Sequence, residues 1–567
     1  MQKRWIINED FDSETVQTLG EELGICETLA KLLNQKGIQT FEEARTFFRP
    51  SLDQLHDPFL MMDMDKAVNR LTEAIGNDES ILIYGDYDVD GTTAVATFYG
   101  FLSKFYNKLE YYIPDRYKEG YGVSEEGIRY AAANGYSLIV TLDCGIKALE
   151  KVDLATSLGI DVIICDHHTP GDKLPAAFAV LDPKRTDCNY PYKELSGCGV
   201  GFKLLHGFCL QSSIDLQELL DYLDLLAVSI ASDIVPITGE NRVLSHFGLK
   251  KLNQSPRPGL KSLIELCKGN KDLTISGIVF GIGPRINAAG RMDHAGSAVA
   301  LLLAKNEDEA NHLAEMVNTK NDARKDFDSS ITEEAIQMIT SNVELAEAKS
   351  TVLYKEDWHK GVIGIVASRC IEKLYRPTVI LTESNDMVTG SARSVDGFDV
   401  YAAISECSDL LEQYGGHMYA AGVTMPTNNV DAFRKRFEEV VSKQITSDQL
   451  TPSLYIDAVI NLADINQKFY NIITQMAPFG PQNMQPVFLA ENVQASNVKL
   501  LKDQHLKFTA KQEGTNVAFD AIGFGLGDYY DLVHCGMKFH LAFTIEENDF
   551  RGHKNLQLFV KDIKFDN

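Results

Sequence analysis

The sequence predicts an α/β protein: a doubly wound parallel-sheet domain, a long linker helix, a second, smaller α/β domain and a C-terminal β-barrel. Short apolar runs such as ILIY, SLIVTL and DVIIC alternate with helical stretches, the pattern of a parallel sheet covered by helices. Residues 305–342 form a polar helical pattern without a long apolar face, which is typical of a helix that bridges domains. Closely spaced short strands fill residues 452–567 and indicate a small barrel.

These patterns divide the 567 residues into five parts. The predicted parts are an N-terminal helical segment at 1–75, the large α/β domain at 76–304, the connecting helix at 305–342, the smaller α/β domain at 343–445 and the barrel domain at 446–567.

Composition limits the class of protein. No apolar run approaches the roughly 18 residues of a membrane span, and the N-terminal MQKRWIINEDFDSETV has no apolar signal-peptide core, so we expect a cytoplasmic location. The ten cysteines include no CxxC pair, which favours reduced core thiols over a disulfide or zinc framework. The net charge of −26 weakens a nucleic-acid-binding interpretation without excluding it, because bound metal ions and a local basic groove offset a negative average.

Acidic residues and histidines follow three of the predicted strands. They are Asp86, Asp88 and Asp90 after ILIY, Asp143 after SLIVTL, and Asp166, His167 and His168 after DVIIC. Parallel strands bring their carboxyl ends to one edge of the sheet, where ligands bind. One such end is explained as a helix cap, but three together favour a divalent metal site. Arg116 follows a fourth strand, and Asp233 follows an apolar helical segment, where it is equally well explained as a helix terminator.

Two glycine-rich stretches have open interpretations. Residues 277–296, with Arg285 and Arg291, suit either a close approach of backbone and arginine to phosphate or close helix packing. The stretch YGGHMYAAG around His417 suits either a phosphate contact or a tight turn.

One predicted hairpin of the barrel is basic. It carries Lys499, Lys502, Lys507 and Lys511 beside His505 and Phe508. Interleaved basic and aromatic side chains are what OB-type barrels use to bind single strands, and a solvated hairpin is the alternative.

The motifs resemble a known family in order. YGDYDVDG, IPDRYKEGYG, TLDCGI and CDHHTP resemble successive motifs of the DHH phosphoesterases, while GIGPRINAAGRM, WHKGVIGIVASR, GSARS, GGHMYAAG and APFGPQNMQPVF resemble those of its RecJ branch. The resemblance runs from about residue 50 to the end of the barrel, where some members carry a further domain. It implies a DHH domain, a DHH-associated domain and an OB-fold domain, and single-strand-specific 5′→3′ DNA exonuclease activity in recombination and repair.

The resemblance also implies roles for single residues. The implied metal ligands are Asp88, Asp90, Asp143, His167 and Asp233, with Asp143 bridging two ions. His168 is implied to face the scissile phosphate, and Asp166 to orient the histidine pair. The terminal 5′ phosphate is assigned to Arg116, Ser391 and Arg393, and the DNA path to Arg285 and His417. Tyr84 departs from the family, since some relatives carry a metal-binding histidine there, and this predicts a weaker or more hydrated first metal site.

Elementary chemistry agrees with this assignment. Hydrolysis of a phosphodiester needs an activated water and neutralised phosphoryl oxygens, which two ions supply together. Four carboxylates and one histidine suit Mn²⁺ or Mg²⁺, and the histidine favours Mn²⁺.

Two other functions remain open alternatives. One is a DHH phosphoesterase for oligoribonucleotides or cyclic dinucleotides, against which the barrel argues. The other is a non-catalytic replication scaffold, against which the complete ligand set argues. The resemblance further suggests a single-strand-binding protein and a RecQ-type helicase as partners, and we expect a monomer.

Overall fold

The computed structural model describes residues 2–267, 272–384, 386–550 and 552–565 and divides into two compact units. The sheet unit comprises Arg45–Asp322 and Met476–Gln485. The barrel unit comprises Met1–Ala44, Ala323–Gln475 and Pro486–Asn567.

Helices predominate in the chain before the connecting helix. In chain order the elements are β1 (Arg4–Ile7), α1 (Ser13–Leu23), α2 (Glu27–Gln35), α3 (Phe41–Phe48), α4 (Met64–Gly76), β2 (Ile81–Gly85), α5 (Val89–Leu102), β3 (Leu109–Tyr112), α6 (Glu125–Ala133), β4 (Leu138–Leu142), α7 (Leu149–Ser157), β5 (Asp161–Cys165), β6 (Ala179–Leu181), α8 (Gly197–Ser212), α9 (Gln217–Leu220), α10 (Leu223–Ser232), α11 (Gly239–Gln254), α12 (Pro258–Leu266), α13 (Ile275–Gly277), a π-helical turn at Ile278–Ile282, α14 (Gly283–Met292) and α15 (Gly296–Leu303).

Strands become more frequent from the connecting helix onward. The elements are α16 (Glu307–Thr340), α17 (Val343–Glu347), β7 (Thr351–Tyr354), α18 (Ile363–Lys373), β8 (Thr378–Ser384), β9 (Met387–Arg393), α19 (Val400–Ser405), β10 (Gln413–His417), β11 (Ala420–Met425), α20 (Val430–Gln444), β12 (Ser453–Ile456), β13 (Ala458–Val459), α21 (Gln467–Gln475), β14 (Phe488–Leu501), β15 (His505–Gln512), β16 (Ala518–Gly523), α22 (Tyr530–His534), β17 (Phe539–Phe550) and β18 (His553–Lys564).

The sheet unit is built on five parallel strands in the order β3-β2-β4-β5-β6. Strands β2 and β4 are apolar and fully buried, as expected for strands covered by helices on both faces. From β2 the chain continues to β3 on one side of the sheet and later to β4 on the other, so the direction of winding reverses between β2 and β4. Open α/β sheets bind ligands at such a reversal, outside the carboxyl ends of the strands.

The predicted connecting helix is present as α16, which runs for 34 residues. Its Asp328 side chain is fully buried and lies 2.7 Å from the guanidinium of Arg369 in α18. This ion pair fastens the C-terminal half of the helix to the smaller α/β domain.

The smaller α/β domain contains one five-stranded mixed sheet in the order β10-β11-β9-β8-β7. Strands β7 and β8 are parallel, and the remaining neighbours are antiparallel. Helices α18, α19 and α20 supply the apolar residues that cover it, among them Val366, Ile404 and Phe437.

The C-terminal strands form a closed barrel in the order β13-β14-β15-β16-β18-β17, with β14 also pairing with β17. The predicted fold class is therefore confirmed in its parallel sheet, linker helix, second α/β domain and barrel. One prediction about the basic hairpin is wrong: Phe508 is only 1% exposed and packs inside the barrel against Phe539. It is a core residue, so it does not contribute to a surface for stacking.

The N-terminal segment is helical except for β1, which pairs in parallel with β12 from Arg4↔Ser453 to Ile7↔Ile456. The indole of Trp5 donates a hydrogen bond of 2.8 Å to Asp562 in β18. The first strand is thus part of the barrel unit, although the sequence segment around it reads as helical and polar.

The ten cysteines are thiols, and most of them are buried. Within the described ranges, we find no helix whose length and apolar character would let it cross a membrane.

Candidate metal centre and phosphate-binding residues

The side chains that follow β2, β4 and β5 meet at one edge of the sheet, together with Asp233 at the end of α10. The imidazole Nε2 of His167 lies 3.2 Å from Asp143 Oδ1, 3.4 Å from Asp233 Oδ2 and 3.8 Å from Asp90 Oδ2. The fold therefore brings together residues that four separate elements supply and that lie far apart in the sequence.

Two groups of potential ligands lie side by side. Asp86, Asp88 and Asp143 offer carboxylate oxygens that all lie within 4.8 Å of one another. Asp90 and Asp233 offer oxygens, and His167 a ring nitrogen, that lie equally close together. Asp143 also groups with His167, so it lies next to both sets. Asp86 has no ligand role in the resemblance, yet its carboxylate belongs to the first group.

Tyr84 does not occupy the metal centre. Its side chain is buried toward α6, and its hydroxyl donates to the carbonyl of Gly122 at 3.1 Å and lies 3.2 Å from Ser124 Oγ. Asp86, two positions later, contributes a carboxylate oxygen to the first ligand group. Position 84 contributes no ligand atom, because the Tyr84 hydroxyl is bonded elsewhere.

The donor atoms of the centre fit a divalent cation. Both ring nitrogens of His167, Oδ1 of Asp143 and Oδ1 of Asp86 are buried without a hydrogen-bond partner among the described residues. Such atoms are costly to bury unless a ligand satisfies them. Burial raises the pKa of Asp143 well above its usual range, and the charges of Asp90 and Asp88 raise it further. A bound cation reverses that effect by pairing with the carboxylates.

The N-terminus of α8 holds Asp90 in place. The backbone N–H groups of Gly197 and Cys198 donate to its two oxygens at 2.6 and 2.9 Å, and the Ser229 hydroxyl donates at 2.6 Å. A Cβ on Gly197 would lie 2.5 Å from Asp143 Oδ1, so only glycine lets this helix approach the centre.

Asp166 is hydrogen-bonded to the backbone of His167 and to the ring of His168. Its Oδ1 accepts hydrogen bonds from His167 N at 2.7 Å and from His168 Nδ1 at 2.7 Å. Burial alone would raise the pKa of Asp166, but the hydrogen bond and charge of His168, the Ile146 backbone N–H and the charge of His167 together lower it to about 2. Burial likewise would lower the pKa of His168, but Asp166 raises it to about 9. His168 Nε2 also lies 3.1 Å from the hydroxyl of Tyr121, a residue that the sequence analysis did not single out.

Arg116 lies beside the first ligand group. Its guanidinium stands 5.1 Å from the ring centroid of Tyr87, which separates Asp86 from Asp88 in the sequence. The following residue, Tyr117, donates from its hydroxyl to the carbonyl of Arg291 at the end of α14. The loop after β3 is thereby held at the metal edge of the sheet.

Ser391 and Arg393 lie together in the barrel unit. Their side chains are joined by a hydrogen bond of 2.9 Å from the guanidinium to the hydroxyl. A Cβ on Gly364 would lie 2.8 Å from Arg393 Nη2 and 2.9 Å from Ser391 Oγ, so the first turn of α18 passes directly against both side chains. A helix N-terminus, a hydroxyl and a guanidinium make a favourable anion site.

The two remaining predicted residues have different surroundings. His417 is exposed at the end of β10, and its Nδ1 accepts from Tyr419 N at 3.2 Å. Arg285 instead binds its own surroundings, with hydrogen bonds to the carbonyls of Gly281 at 2.7 Å and Leu266 at 3.2 Å. These bonds tie the start of α14 to the end of α12 and hold the Arg285 guanidinium in place.

The basic hairpin has its lysines on the outside of the barrel. Lys499 and Lys507 stand directly opposite each other in β14 and β15. Like charges in such a position repel. A bound phosphate between them would relieve the repulsion.

Comparison with known proteins agrees with this architecture. Family models match residues 80–230 (DHH family, N-terminal domain), 347–443 (DHHA1 domain) and 456–562 (RecJ OB domain).

Curated relatives match nearly the full chain. The single-stranded-DNA-specific exonuclease RecJ of Bacillus subtilis (strain 168) is 37% identical over 565 residues, which cover 99% of this chain and 70% of the relative. The protein of the same name from Escherichia coli (strain K12) is 31% identical over 560 residues, covering 94% and 95%. The crystal structure of RecJ in complex with Mn²⁺ from Thermus thermophilus is similar at a TM-score of 0.86 and 25% identity, covering 100% of this chain and 80% of that one.

Proposed function

Because the chain belongs to the RecJ family of single-stranded-DNA-specific exonucleases, we propose that it hydrolyses the phosphodiester bonds of single-stranded DNA from the 5′ end, in DNA recombination and repair. The observation that carries the proposal is that Asp143 belongs to one group of three potential ligands and lies 3.2 Å from His167 of a second group. A two-metal site for phosphodiester hydrolysis is built from two such adjoining groups.

Two sets of side chains would bind the metal ions. Asp86, Asp88 and Asp143 would hold one Mn²⁺ or Mg²⁺ ion, and Asp90, His167 and Asp233 a second, with Asp143 shared. When bound, the two ions activate a water molecule and neutralise charge on the phosphoryl oxygens.

His168 has the position of a phosphate contact. Its Nδ1 lies 2.7 Å from Asp166 Oδ1, and this hydrogen bond holds the ring and raises the pKa of His168. The ring lies next to Asp143 and His167 in the ligand cluster. We assign it to a non-bridging oxygen of the scissile phosphate, where it would stabilise the negative charge that builds up.

We assign recognition of the 5′ end of the strand to arginine side chains. A terminal 5′ phosphate differs from an internal one by its extra negative charge, and a guanidinium binds it through two parallel donors. We assign this recognition to Arg393 and Ser391 at the first turn of α18, and we assign to Arg116 a phosphate contact at the Asp86–Asp88 end of the metal centre. Their hydrogen bonds and ring contacts already fix the side chains before a substrate arrives.

The barrel is assigned to binding. It matches the RecJ OB domain model, and Lys499 and Lys507 form a basic pair on its surface. A DHH phosphoesterase for oligoribonucleotides or cyclic dinucleotides needs no such barrel, and a non-catalytic scaffold needs no complete ligand set. Neither alternative is favoured.

We further propose that the protein acts as a monomer in the cytoplasm, with a single-strand-binding protein and a RecQ-type helicase as partners. The family resemblance supports the two partners, and the sequence composition supports the cytoplasmic location. Co-purification with each partner would test the interactions. Sedimentation of the protein by itself would test whether it is a monomer.

The activity is tested directly with end-labelled substrates. The protein is incubated with Mn²⁺ and 5′- or 3′-labelled single-stranded DNA, RNA, duplex DNA and dinucleotides. We expect the 5′ label to be released first, and from single-stranded DNA far faster than from the other substrates. Faster cleavage of the dinucleotides would support the small-substrate alternative, and no cleavage of any substrate would support the scaffold.

A further inference from the structure

Phe280 is an exposed aromatic residue of the sheet unit to which the proposed chemistry gives no role. Its side chain is 80% exposed, the highest value among the large apolar side chains of the described ranges. Single exposed apolar residues are common on protein surfaces. The surroundings of Phe280 distinguish it from these.

The backbone that carries Phe280 is fixed against the metal centre. Phe280 lies in the π-helical turn that leads directly into α14. A Cβ on Gly283 would lie 3.0 Å from Ser232 Oγ, and Ser232 precedes the ligand Asp233. π-Helical turns are rare and occur preferentially at functional sites. The turn therefore lies beside the end of α10 that carries the ligand Asp233.

A second exposed apolar side chain flanks the same ligand. Ile234 directly follows Asp233 and is 63% exposed. Its φ of 61° lies in the left-handed region, where a β-branched residue is strained. Strain of this kind persists where a functional arrangement requires it. Ile234 and Phe280 are thus two exposed apolar side chains, one next to Asp233 in the sequence and one in the turn at the end of α10.

The orientation of α14 indicates which part of the substrate would meet Phe280. At the other end of this helix, a Cβ on Gly290 would lie 2.9 Å from the carbonyl of Tyr87, whose ring lies against Arg116. The seven residues from Gly283 to Gly290 span about 10 Å at 1.5 Å per residue. Helix α14 therefore runs from the turn that carries Phe280, beside Ser232, to the backbone of Tyr87, beside Arg116.

We propose that Phe280 stacks on an unpaired nucleobase on the 3′ side of the scissile phosphate, so that the strand is held on both sides of the reacting bond. The inference rests on the proposed function, because it takes the Arg116 end as the 5′ side. An aromatic face binds any base and needs that base to be unpaired. Phe280 would thereby add to the preference for single strands without adding sequence specificity.

Binding to abasic oligonucleotides tests the proposal. On an Asp143→Ala background that does not turn over, affinities are measured by fluorescence anisotropy for 5′-phosphorylated single strands with one abasic site at each of the first five positions. We expect one internal position to weaken binding by about 5- to 150-fold, the range for loss of one base–aromatic stack. In Phe280→Ala the intact oligonucleotide should bind as weakly as the parent binds that abasic oligonucleotide. An abasic site at the same position should then cause no further loss of affinity. Phe280→Trp should restore both affinity and positional effect.

Phe178→Ala is the matched control. Phe178 is 45% exposed in the same unit and precedes β6, at the opposite edge of the sheet from the ligands. It should leave the abasic profile unchanged. The proposal is overturned if no internal position is sensitive, or if Phe280→Ala keeps the parent's profile. Degradation of single-stranded DNA by the protein with Asp143 intact is measured in parallel, and its absence would contradict the proposed function instead.

Discussion

The imidazole Nε2 of His167 lies 3.2 Å from Asp143 Oδ1, and neither buried atom has a hydrogen-bond partner among the described residues. Each atom is positioned for a shared ligand and is left unsatisfied without one. The first two predictions follow from this relationship.

Replacing Asp143 should abolish hydrolysis and leave the fold intact. We expect Asp143→Ala to lower kcat by at least about 1,000-fold, because the carboxylate adjoins both ligand groups and electrostatic stabilisation is lost. Without metal, the variant should unfold at the same temperature as the parent or higher, because one of several repelling carboxylates is removed. Calorimetry in a chelator and turnover in Mn²⁺ measure the two effects. Asp153→Ala, an exposed aspartate of α7, is the control. Near-normal turnover by folded Asp143→Ala would sink the two-metal assignment.

A methyl group on Gly197 should disturb the same centre from the other side. The added Cβ would lie 2.5 Å from Asp143 Oδ1, so Gly197→Ala should displace either α8 or the carboxylate. We expect a loss of Mn²⁺ affinity of about 10- to 100-fold, the range for altered support of metal ligands. Isothermal titration measures it. Gly199→Ala is matched, because its Cβ would meet no atom closer than 3.4 Å and alanine favours the helix. Equal affinities in the two variants would mean that the close approach of α8 is not needed.

Arg393 should determine the preference for a 5′ phosphate. We expect Arg393→Ala to reduce the ratio of kcat/KM for 5′-phosphorylated over 5′-hydroxyl single-stranded DNA by about tenfold, the loss of a charge-assisted hydrogen-bonded contact, with Mn²⁺ binding unchanged. Arg434→Ala removes a partly exposed arginine of the same unit, which pairs with Asp431 and donates to the carbonyl of Val352, and it should leave the ratio as it is. If the ratio is the same in Arg393→Ala and the parent, Arg393 does not recognise the phosphate and our account of polarity is wrong.

The lysine pair of the barrel should affect long substrates more than short ones. If Lys499 and Lys507 each neutralise one phosphate, replacing both with alanine should weaken the salt dependence of binding. The slope of log association constant against log salt concentration should become shallower by about 1.4 for single strands. Binding of long single-stranded DNA should weaken, while cleavage of very short oligonucleotides should change little. Lys554→Ala, whose lysine pairs with Glu547 in the same barrel, should keep the parent's slope. An unchanged slope in the double variant would assign DNA binding to another surface.

The strand ends were predictable because a parallel sheet leaves a clear pattern in the sequence. Each buried strand is visible as an apolar run, and the residue after it must lie at the carboxyl edge. This reasoning found Asp143 and His167 without knowledge of their contacts. It could not find Gly197 or Ser229, since their contribution depends on where α8 and α10 pack, and packing leaves no local mark in the sequence.

Two other elements show the limits of prediction more clearly. Lys507 and Phe508 are neighbours in a strand, and neighbours point to opposite faces. The outward lysine therefore already implied an inward Phe508, so this signal was present in the sequence and was misinterpreted. For β1 the sequence offered no such signal. This strand has four residues, and its partner β12 begins at Ser453, too far along the chain for a connecting turn or helix to indicate the pairing.

The pairing of β1 with β12 has a consequence for synthesis of the chain on the ribosome. About 450 residues separate the two strands, so at 5–20 residues per second β1 waits on the order of 20–90 s for its partner. Over that interval Arg45–Asp322 can emerge and begin to fold, whereas the barrel unit has its first strand exposed and its last strands unmade. A nascent chain of this protein therefore carries an unpaired strand edge for most of its time on the ribosome, and the cell's chaperones have their longest opportunity to bind at that strand.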